Sequence, residues 1–282
     1  MTTPLITSSD LAARLGETTL VVVDCRHQLA DPDWGAGAYR VGHIPGAVYA
    51  HLDHDLSGAK TGRNGRHPLP RPEDFRATMG RLGIGPGVDV VAYDQNDGMM
   101  ASRLWWLLRA YGHEAVRVLD GGLLAWEAEG RPLATGVEER PPTTFTGRYQ
   151  SDWAVEAGEL QSRWMNAPDR VVIDARAPER YRGEVEPIDP VAGRIPGARN
   201  QPYKANVDAD GRFLAPDVLR ARYLELLAGL SPVQAVTYCG SGVSGAHDLL
   251  AMEIAGLPGA KLYPGSWSEW CADPSRPVAT GG

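Results

Sequence analysis

Two spacings of apolar residues alternate along this chain: short, nearly continuous runs and longer segments with helical periodicity. The short runs predict strands, which are residues 20–25, 47–49, 88–93 and 115–119 in the first half and 235–238 in the second. The periodic segments predict helices over residues 72–82, 100–111 and 247–255, each followed by a glycine that can end the helix. Strands that alternate with helices are typical of an α/β domain with a mainly parallel sheet.

The second half of the chain repeats the first. LVVVDCR at residues 20–26 returns as RVVIDAR at 170–176, and GHIPGA at 42–47 returns as GRIPGA at 193–198. Further along, VAYD is answered by VTYC at residues 236–239, and DGGLLAW is answered by PGSWSEW at 264–270. Because the order is kept and the spacing changes by only a few residues, the sequence predicts two copies of one α/β domain.

A proline-containing stretch separates the two copies. Residues 135–150 include a Pro-Pro pair and show little apolar periodicity, as is typical of a linker. We therefore predict a first domain over residues 1–136, a linker over 137–150 and a second domain over 151–282.

Composition narrows the class of partner and the compartment. The 282 residues include 28 Lys and Arg against 35 Asp and Glu, and the resulting net charge of -7 has the wrong sign for a nucleic-acid binder. Three cysteines are too few for a disulfide framework or a paired-thiolate zinc site and favour a reducing compartment. Residues 1–10 lack an export pattern and no apolar run has the length of a membrane span, so we expect a cytoplasmic protein without membrane contact.

One cysteine follows the predicted strand 235–238 and opens a loop of small residues. The residues after Cys239 read GSGVSG, and such a turn at the carboxyl end of a strand can point several backbone N–H groups inward. The following helix adds its positive end, so an anion is stabilised without a basic side chain. We expect this anion to be the Cys239 thiolate, activated as a nucleophile. The alternative is an inert buried cysteine.

Two chemistries are compatible with a cysteine in this kind of loop. A cysteine-dependent phosphatase needs a guanidinium to hold the phosphate oxygens in the transition state. No arginine or lysine occurs between Cys239 and Lys261, so phosphoryl transfer lacks its main electrostatic clamp. Transfer of a neutral sulfur atom needs no such clamp, because loop amides can hold the single negative charge of a persulfide.

The paired VVxDxR and GHIPGA segments, the CGSGVS loop and the closing PGSWSEW together resemble the two-domain rhodanese sulfurtransferases over nearly the whole chain. The resemblance implies two tandem rhodanese-like domains with the persulfide-forming cysteine, here Cys239, in the second. It implies that the persulfide is stabilised by Gly240, Ser241, Gly242, Val243 and Ser244. Asp94 stands where the repeat aligns Cys239, so we expect the first copy to lack a nucleophile and to wall the cleft.

The loop resembles one donor class within this family. CGSGVT is typical of the 3-mercaptopyruvate sulfurtransferases, with Ser244 here in place of the threonine, whereas thiosulfate enzymes usually carry basic residues directly after the cysteine. A dianionic donor gains more from a local cation than a monoanionic keto acid does. The neutral loop therefore favours 3-mercaptopyruvate.

The arginines that would bind the substrate carboxylate only partly match the family pattern. Arg180, in ERYRG, matches an arginine that binds this carboxylate in the mercaptopyruvate enzymes. Its alternative is a solvated surface arginine. The second expected arginine is replaced by Ile188, a departure that favours thiosulfate, and Arg182 and Arg194 are candidates to substitute for it.

The resemblance also brings residues of the first half to the cleft. His67, in GRHPLP, matches a histidine that reaches the cleft, and Asp53, in HLDHD, matches an acid near it. With Ser241 they form a candidate relay for the proton that the departing pyruvate enolate takes up. The alternative for His67 is an ordinary loop histidine before a proline. For Arg103, another match in the first half, we expect a role in packing.

We expect neither a metal site nor an organic cofactor. His51, Asp53, His54 and Asp55 are close in sequence, but they lack a helical spacing or a cysteine partner, and polar residues in a loop are usually solvated.

The sequence therefore predicts a sulfurtransferase that works in two half-reactions. Cys239 takes a sulfane sulfur from a small donor, 3-mercaptopyruvate, and passes it to cyanide, a small thiol or a thioredoxin-like protein, while Cys25 and Cys271 are bystanders. Two alternatives stay open. One is a thiosulfate:cyanide sulfurtransferase, and the other, from a different class, is a noncatalytic binding or sensor module.

Overall fold

The computed structural model describes residues 3–282, so Met1 and Thr2 of the predicted first domain lie outside the described residues. Packing groups the chain into two compact units. The first comprises the residues up to 58 with 70–150 and 208–213, and the second comprises 59–69, 151–207 and 214–282. Residues 137–150 are grouped with the first unit. The domain boundaries and the linker read from the sequence stay a prediction.

The first unit is built on five strands, all parallel to their neighbours. The strands are β1 (Leu5–Ile6), β2 (Leu20–Asp24), β3 (Val48–Tyr49), β4 (Asp89–Tyr93) and β5 (Val116–Leu119). The helices are α1 (Ser8–Arg14), α2 (Trp34–Val41), α3 (Pro72–Arg81), α4 (Met99–Ala110) and α5 (Gly122–Ala128). The strand order is β1-β5-β4-β2-β3, and β2 is buried along its whole length, which explains its continuous apolar run.

The second unit repeats this arrangement with four parallel strands. The strands are β6 (Val171–Asp174), β7 (Arg199–Asn200), β8 (Ala235–Tyr238) and β9 (Lys261–Leu262). The helices are α6 (Ala157–Glu159), which continues as a π-helical turn over Leu160–Trp164, then α7 (Pro178–Tyr181), α8 (Pro216–Leu227), α9 (Ser244–Ile254) and α10 (Ser266–Trp270). Short 3₁₀ turns occur at Ser151–Trp153, Tyr203–Asn206 and Pro232–Gln234.

The strand orders confirm that the two units are copies of one α/β domain. The order β7-β6-β8-β9 is that of β3-β2-β4-β5 in the first unit. The place of β1 is taken by a single parallel bridge between Ala154 and Leu262. No helix among residues 3–282 is long and apolar enough to cross a membrane.

The predicted strands and the first two predicted helices end within one residue of the observed ones. The helix expected over residues 247–255 instead begins three residues earlier, at Ser244. Gly242, with a φ of 78°, completes the turn after β8 within a few residues, so the helix starts sooner than its apolar periodicity indicates.

A buried ion pair explains why the two motifs of each repeat occur together. In the first copy Asp24 binds Arg26 with a shortest distance of 2.7 Å, and Arg26 donates to the carbonyl of Gly42, the first residue of GHIPGA, at 2.6 Å. Asp174 and Arg176 repeat the pair at 2.7 Å, and Arg176 reaches the glycine of GRIPGA at 2.6 Å. The arginine thus ties the end of one strand to the turn that precedes the next.

Candidate active site

Cys239 directly follows β8, and its side chain is 2% exposed. Its Sγ accepts hydrogen bonds from the backbone N–H of Ser241 at 3.4 Å and of Gly242 at 3.1 Å. The N–H of Gly245 and the hydroxyl of Ser244, at the start of α9, also donate to it. Backbone and hydroxyl donors therefore surround the sulfur at the positive end of a helix, an arrangement that stabilises an anion.

These contacts distinguish Cys239 from the other two thiols. Burial alone raises the pKa of the Cys239 thiol, but the hydrogen bonds from the Ser244 hydroxyl and the loop amides bring it below its ordinary value. Burial raises the pKa of Cys25 far above its ordinary value and that of Cys271 to about 11. Near neutral pH, Cys239 is thus the thiol of the three that is prepared to ionise.

We expect the rate at which iodoacetamide alkylates Cys239 to follow one titration with a midpoint below the ordinary thiol pKa, because the thiolate is the reactive form. Ser244→Ala removes a donor to the thiolate and should raise this midpoint by about one unit. Peptide-resolved mass spectrometry over a pH series measures it. Cys271 serves as an internal control that reacts only at higher pH. An unchanged midpoint in Ser244→Ala would contradict the role of its hydroxyl.

The first residues of α10 support the cysteine loop. Ser266 Oγ accepts the N–H of Cys239 at 3.1 Å, and the N–H of Trp267 donates to the Cys239 carbonyl at 2.9 Å. Ser266 adopts a φ of 56°, which is unusual for a non-glycine residue. No role for Ser266 is predicted from the sequence. The available signal was the repeat, since Gly122, in the corresponding segment of the first copy, has a φ of 57°.

The structure brings two of the three predicted relay residues together. His67 is buried and belongs to the second unit, where its Nδ1 lies 2.8 Å from Ser241 Oγ. Asp53 belongs to the first unit, where its carboxylate lies 4.0 Å from Nε2 of His27. Arg103, also in the first unit, is fully buried and donates to the carbonyl of Leu56, which fits the expected packing role.

In the first unit, a carboxylate occupies the position equivalent to the sulfur. Asp94 follows β4 and accepts backbone N–H groups from Asn96, Gly98, Met100 and Ala101. Burial, with the neighbouring Asp97, raises the pKa of Asp94 to about 6. The amide cradle is therefore repeated in the first unit, but the side chain at its centre cannot accept a sulfane sulfur.

Two guanidinium groups of the second unit lie over the loop at Gly240. A Cβ at this glycine would lie 2.6 Å from Nη2 of Arg66 and 3.5 Å from both Nη atoms of Arg180. Arg180 is predicted from the sequence as a substrate-binding residue, whereas Arg66 is not, although Arg66 directly precedes His67 in GRHPLP. The family pattern predicts the second arginine at position 188 instead.

The two arginines proposed as substitutes are engaged elsewhere. Arg182 pairs with the exposed Glu184 at 2.7 Å, and Arg194 lies over the ring of Tyr181 at 4.3 Å. Ile188 itself is 47% exposed.

Acidic side chains neutralise the arginines over the loop. Arg180 lies 2.6 Å from Glu186 and 3.4 Å from Asp189, and Arg66 forms an ion pair with the same Asp189. The side chains of Glu186 and Asp189 are 3% and 4% exposed. Although burial opposes ionisation of Glu186, hydrogen bonds from Arg180 and backbone amides keep its pKa below the ordinary value. The guanidinium pair thus carries no net charge once both carboxylates are ionised.

A different cluster in the first unit has the composition of a metal site. Ligand atoms of His27, His51 and Asp53 lie within 4.8 Å of one another. However, Nδ1 of His51 accepts the N–H of Asp53 at 3.0 Å, so the proton of the neutral ring sits on Nε2. Burial lowers the pKa of His51 and favours that neutral form. Neither nitrogen of His51 then presents a free lone pair to a metal ion.

Comparisons with known proteins agree with this architecture. The Rhodanese-like domain family matches residues 7–129 and 156–273. A Pseudomonas aeruginosa protein named "Probable 3-mercaptopyruvate sulfurtransferase" is 47% identical over 279 residues, which cover 98% of either chain. SseB of Mycobacterium tuberculosis, provisionally named a thiosulfate sulfurtransferase, is 41% identical over 98% of this chain and 97% of its own.

A solved structure extends the match to three dimensions. The crystal structure of SseA from Escherichia coli, described among the 3-mercaptopyruvate sulfotransferases, matches with a TM-score of 0.81 and 32% identity over 94% of this chain and 99% of its own. Two tandem α/β domains, with a cysteine in an amide cradle in the second, define the class of protein. The chain belongs to the rhodanese family.

Proposed function

We propose that this chain is a sulfurtransferase that takes a sulfane sulfur from 3-mercaptopyruvate, stores it as a persulfide on Cys239 and passes it to a thiol or cyanide. The observation that carries the proposal is the set of donors around Sγ, with amides at 3.4 and 3.1 Å and the Ser244 hydroxyl. The same donors stabilise the starting thiolate and the persulfide anion. The names of the relatives from Pseudomonas aeruginosa and Escherichia coli support this donor.

The first half-reaction exchanges one sulfur bond for another. The Cys239 thiolate attacks the donor sulfur, an S–S bond forms, and the C–S bond breaks with its electron pair left on the enolate of pyruvate. The proton that the donor sulfur carried ends on the enolate carbon, which yields pyruvate and a persulfide anion. In the second half-reaction the acceptor removes the outer sulfur and restores the thiolate.

His67 and Ser241 are the residues that we propose move that proton. Their side chains are 2.8 Å apart, and the Ser241 N–H donates to Sγ, so the hydroxyl belongs to a residue that contacts the reacting sulfur. A proton can pass between the serine hydroxyl and the imidazole as the enolate forms. Asp53 remains the proposed third member of this relay.

Charge balance above the loop supports a monoanionic donor. Arg66 and Arg180 are offset by Glu186 and Asp189, so the pair gives a second negative charge on the donor little additional attraction. A planar carboxylate still fits the guanidinium groups, because it can accept two parallel hydrogen bonds from an arginine. A keto acid meets both conditions.

Thiosulfate is the second candidate donor, and the same two guanidinium groups are the observation that favours it. The absence of basic residues from the loop itself does not leave the sulfur without nearby cations, since Arg66 and Arg180 lie over Gly240. The name of the relative from Mycobacterium tuberculosis points the same way. The reaction would then release sulfite.

We also propose which acceptors take the outer sulfur and in which compartment the reaction takes place. Cyanide, a small thiol and a reduced thioredoxin-like protein can each act as the nucleophile that takes the outer sulfur. No step of the cycle calls for a metal or an organic cofactor. We place the reaction in the cytoplasm, where the three free thiols would stay reduced.

The test compares the two donors directly. Intact-protein mass spectrometry should show one added sulfur atom after incubation with 3-mercaptopyruvate and its loss after cyanide. In steady-state assays of thiocyanate formation, kcat/KM for 3-mercaptopyruvate should exceed that for thiosulfate by about tenfold or more. A clear advantage for thiosulfate would overturn the donor assignment and leave the persulfide intact.

A further inference from the structure

Arg66 is fixed above the cysteine loop by its own backbone. Its N–H donates to Ser268 Oγ at 3.0 Å, and the N–H of Ser268 donates to the Gly240 carbonyl at 3.0 Å. His67, the next residue, is held by Ser241 at 2.8 Å. Two consecutive residues are therefore anchored to the loop, which directs the Arg66 guanidinium toward Gly240.

Asp189 is shared by the two arginines above the loop. It forms an ion pair with Arg66 and lies 3.4 Å from Nη2 of Arg180, and its own N–H donates to Glu186 at 3.2 Å. Its side chain is only 4% exposed, although both neighbours in the chain are exposed. A carboxylate of the protein thus occupies the place between two guanidinium groups beside the reactive cysteine.

The two acidic residues are held to different degrees. Glu186 contacts Arg180 at 2.6 Å and also Arg176 at 3.2 Å, and Arg176 is itself fixed by the buried Asp174. Asp189 also contacts two arginines, but these are Arg66 and Arg180, and it sits in an exposed stretch of chain. Of the two carboxylates, Asp189 is therefore the one that an incoming anion can displace.

We propose that Arg66 is the second guanidinium of the donor site, in place of the arginine absent at position 188, and that Asp189 holds the carboxylate position until the donor displaces it. This inference rests on the proposed function and adds two residues that set its donor specificity. When a donor carboxylate displaces the Asp189 carboxylate, one group with a single negative charge replaces another, so the charge of the arginine pair stays balanced. A dianion in the same place adds an unbalanced negative charge, so Asp189 selects for monoanionic donors.

Substitutions at the two positions should have opposite effects. Arg66→Met removes one of the two guanidinium groups that bind the donor carboxylate. It should raise KM for 3-mercaptopyruvate about tenfold with little change in kcat. Asp189→Asn leaves a net positive charge, from which a dianion gains more than a monoanion. It should raise the ratio of kcat/KM for thiosulfate to that for 3-mercaptopyruvate about tenfold.

A pair of alkylating reagents tests the receptor without sulfur transfer. Iodoacetate carries a carboxylate, and iodoacetamide is its neutral isostere. The rate of alkylation of Cys239 by iodoacetate divided by the rate with iodoacetamide therefore reports anion binding beside the thiolate. Relative to the unsubstituted protein, the ratio should fall severalfold in Arg66→Met and rise severalfold in Asp189→Asn. A change in the thiol pKa or a local distortion affects both reagents and leaves their ratio unchanged.

Arg182→Met is the matched control, because Arg182 is a partly exposed arginine of the same unit that pairs with the exposed Glu184. Its alkylation ratio and KM should equal those of the unsubstituted protein. An unchanged ratio in both Arg66→Met and Asp189→Asn would overturn the inference, as would the same change in Arg182→Met. Absence of any persulfide on the unsubstituted protein would instead refute the proposed function, while the alkylation ratios would still decide about the receptor.

Discussion

Cys239→Ser should form no persulfide, and its kcat should fall by a factor on the order of 10⁴ or more. The donors around Sγ are sufficient to lower the pKa of a thiol. The pKa of a serine hydroxyl is so much higher than that of a thiol that the same contacts leave the hydroxyl protonated at neutral pH. Intact-protein mass spectrometry after incubation with 3-mercaptopyruvate measures the persulfide, and thiocyanate formation measures turnover.

Cys271→Ser provides the matched control for this substitution. Cys271 lies in the same unit, is also buried, and has a pKa raised to about 11, so it contributes no thiolate near neutral pH. We expect this variant to keep its persulfide and its activity. If Cys239→Ser still took up the sulfur, or if Cys271→Ser did not, the nucleophile would be a residue other than Cys239. If the unsubstituted protein took up no sulfur either, a noncatalytic binding module would be the better description.

The cysteine loop could be predicted from the sequence because its parts are contiguous. A strand, a cysteine, three glycines and the start of a helix fall within a few residues, so local rules for strand ends and helix N-termini place the amides around Sγ. The internal repeat added a second constraint. It identified Asp94 as the counterpart of Cys239, and the structure shows the same cradle of amides around that carboxylate.

The surroundings of the loop could not be predicted in the same way, because they come from distant parts of the chain. Arg66 and His67 lie more than 170 residues before Ser241, in a segment that packs with the second unit. The spacing of apolar residues does not indicate that a segment of the first half packs with the second unit. The resemblance to a family predicts His67 as a residue of the site, but it predicts the second arginine at position 188 and gives no indication of Arg66.

Charge illustrates the same limit at closer range. The loop sequence contains no cation and by itself predicts a neutral environment for the sulfur. The structure places two arginines over Gly240 and then neutralises them with Glu186 and Asp189. The environment is neutral by compensation of charges, which a substitution can unbalance, and this makes donor preference an adjustable property of the site.

Gly242→Ala should reduce activity by about 100-fold or more. Gly242 has a φ of 78°, and a Cβ at this position would collide with the Pro264 carbonyl, which cannot move without shifting the turn that supports the loop. The Gly242 N–H is also the donor at 3.1 Å from Sγ. Displacement of this backbone should weaken the hydrogen bond and raise the pKa of the Cys239 thiol, so that less thiolate is present at neutral pH.

Gly229→Ala separates the collision from the cost of the backbone conformation alone. Gly229 belongs to the same unit and has a φ of 87°, but no atom lies within 4 Å of a Cβ built there. Alanine at this position should cost about 1 kcal/mol of unfolding free energy and leave activity unchanged. Thermal unfolding and the pH profile of alkylation, measured on both variants, give the comparison. If Gly242→Ala lost stability only as Gly229→Ala does and kept a low thiol pKa, the amide of Gly242 would not be needed to hold the sulfur as an anion.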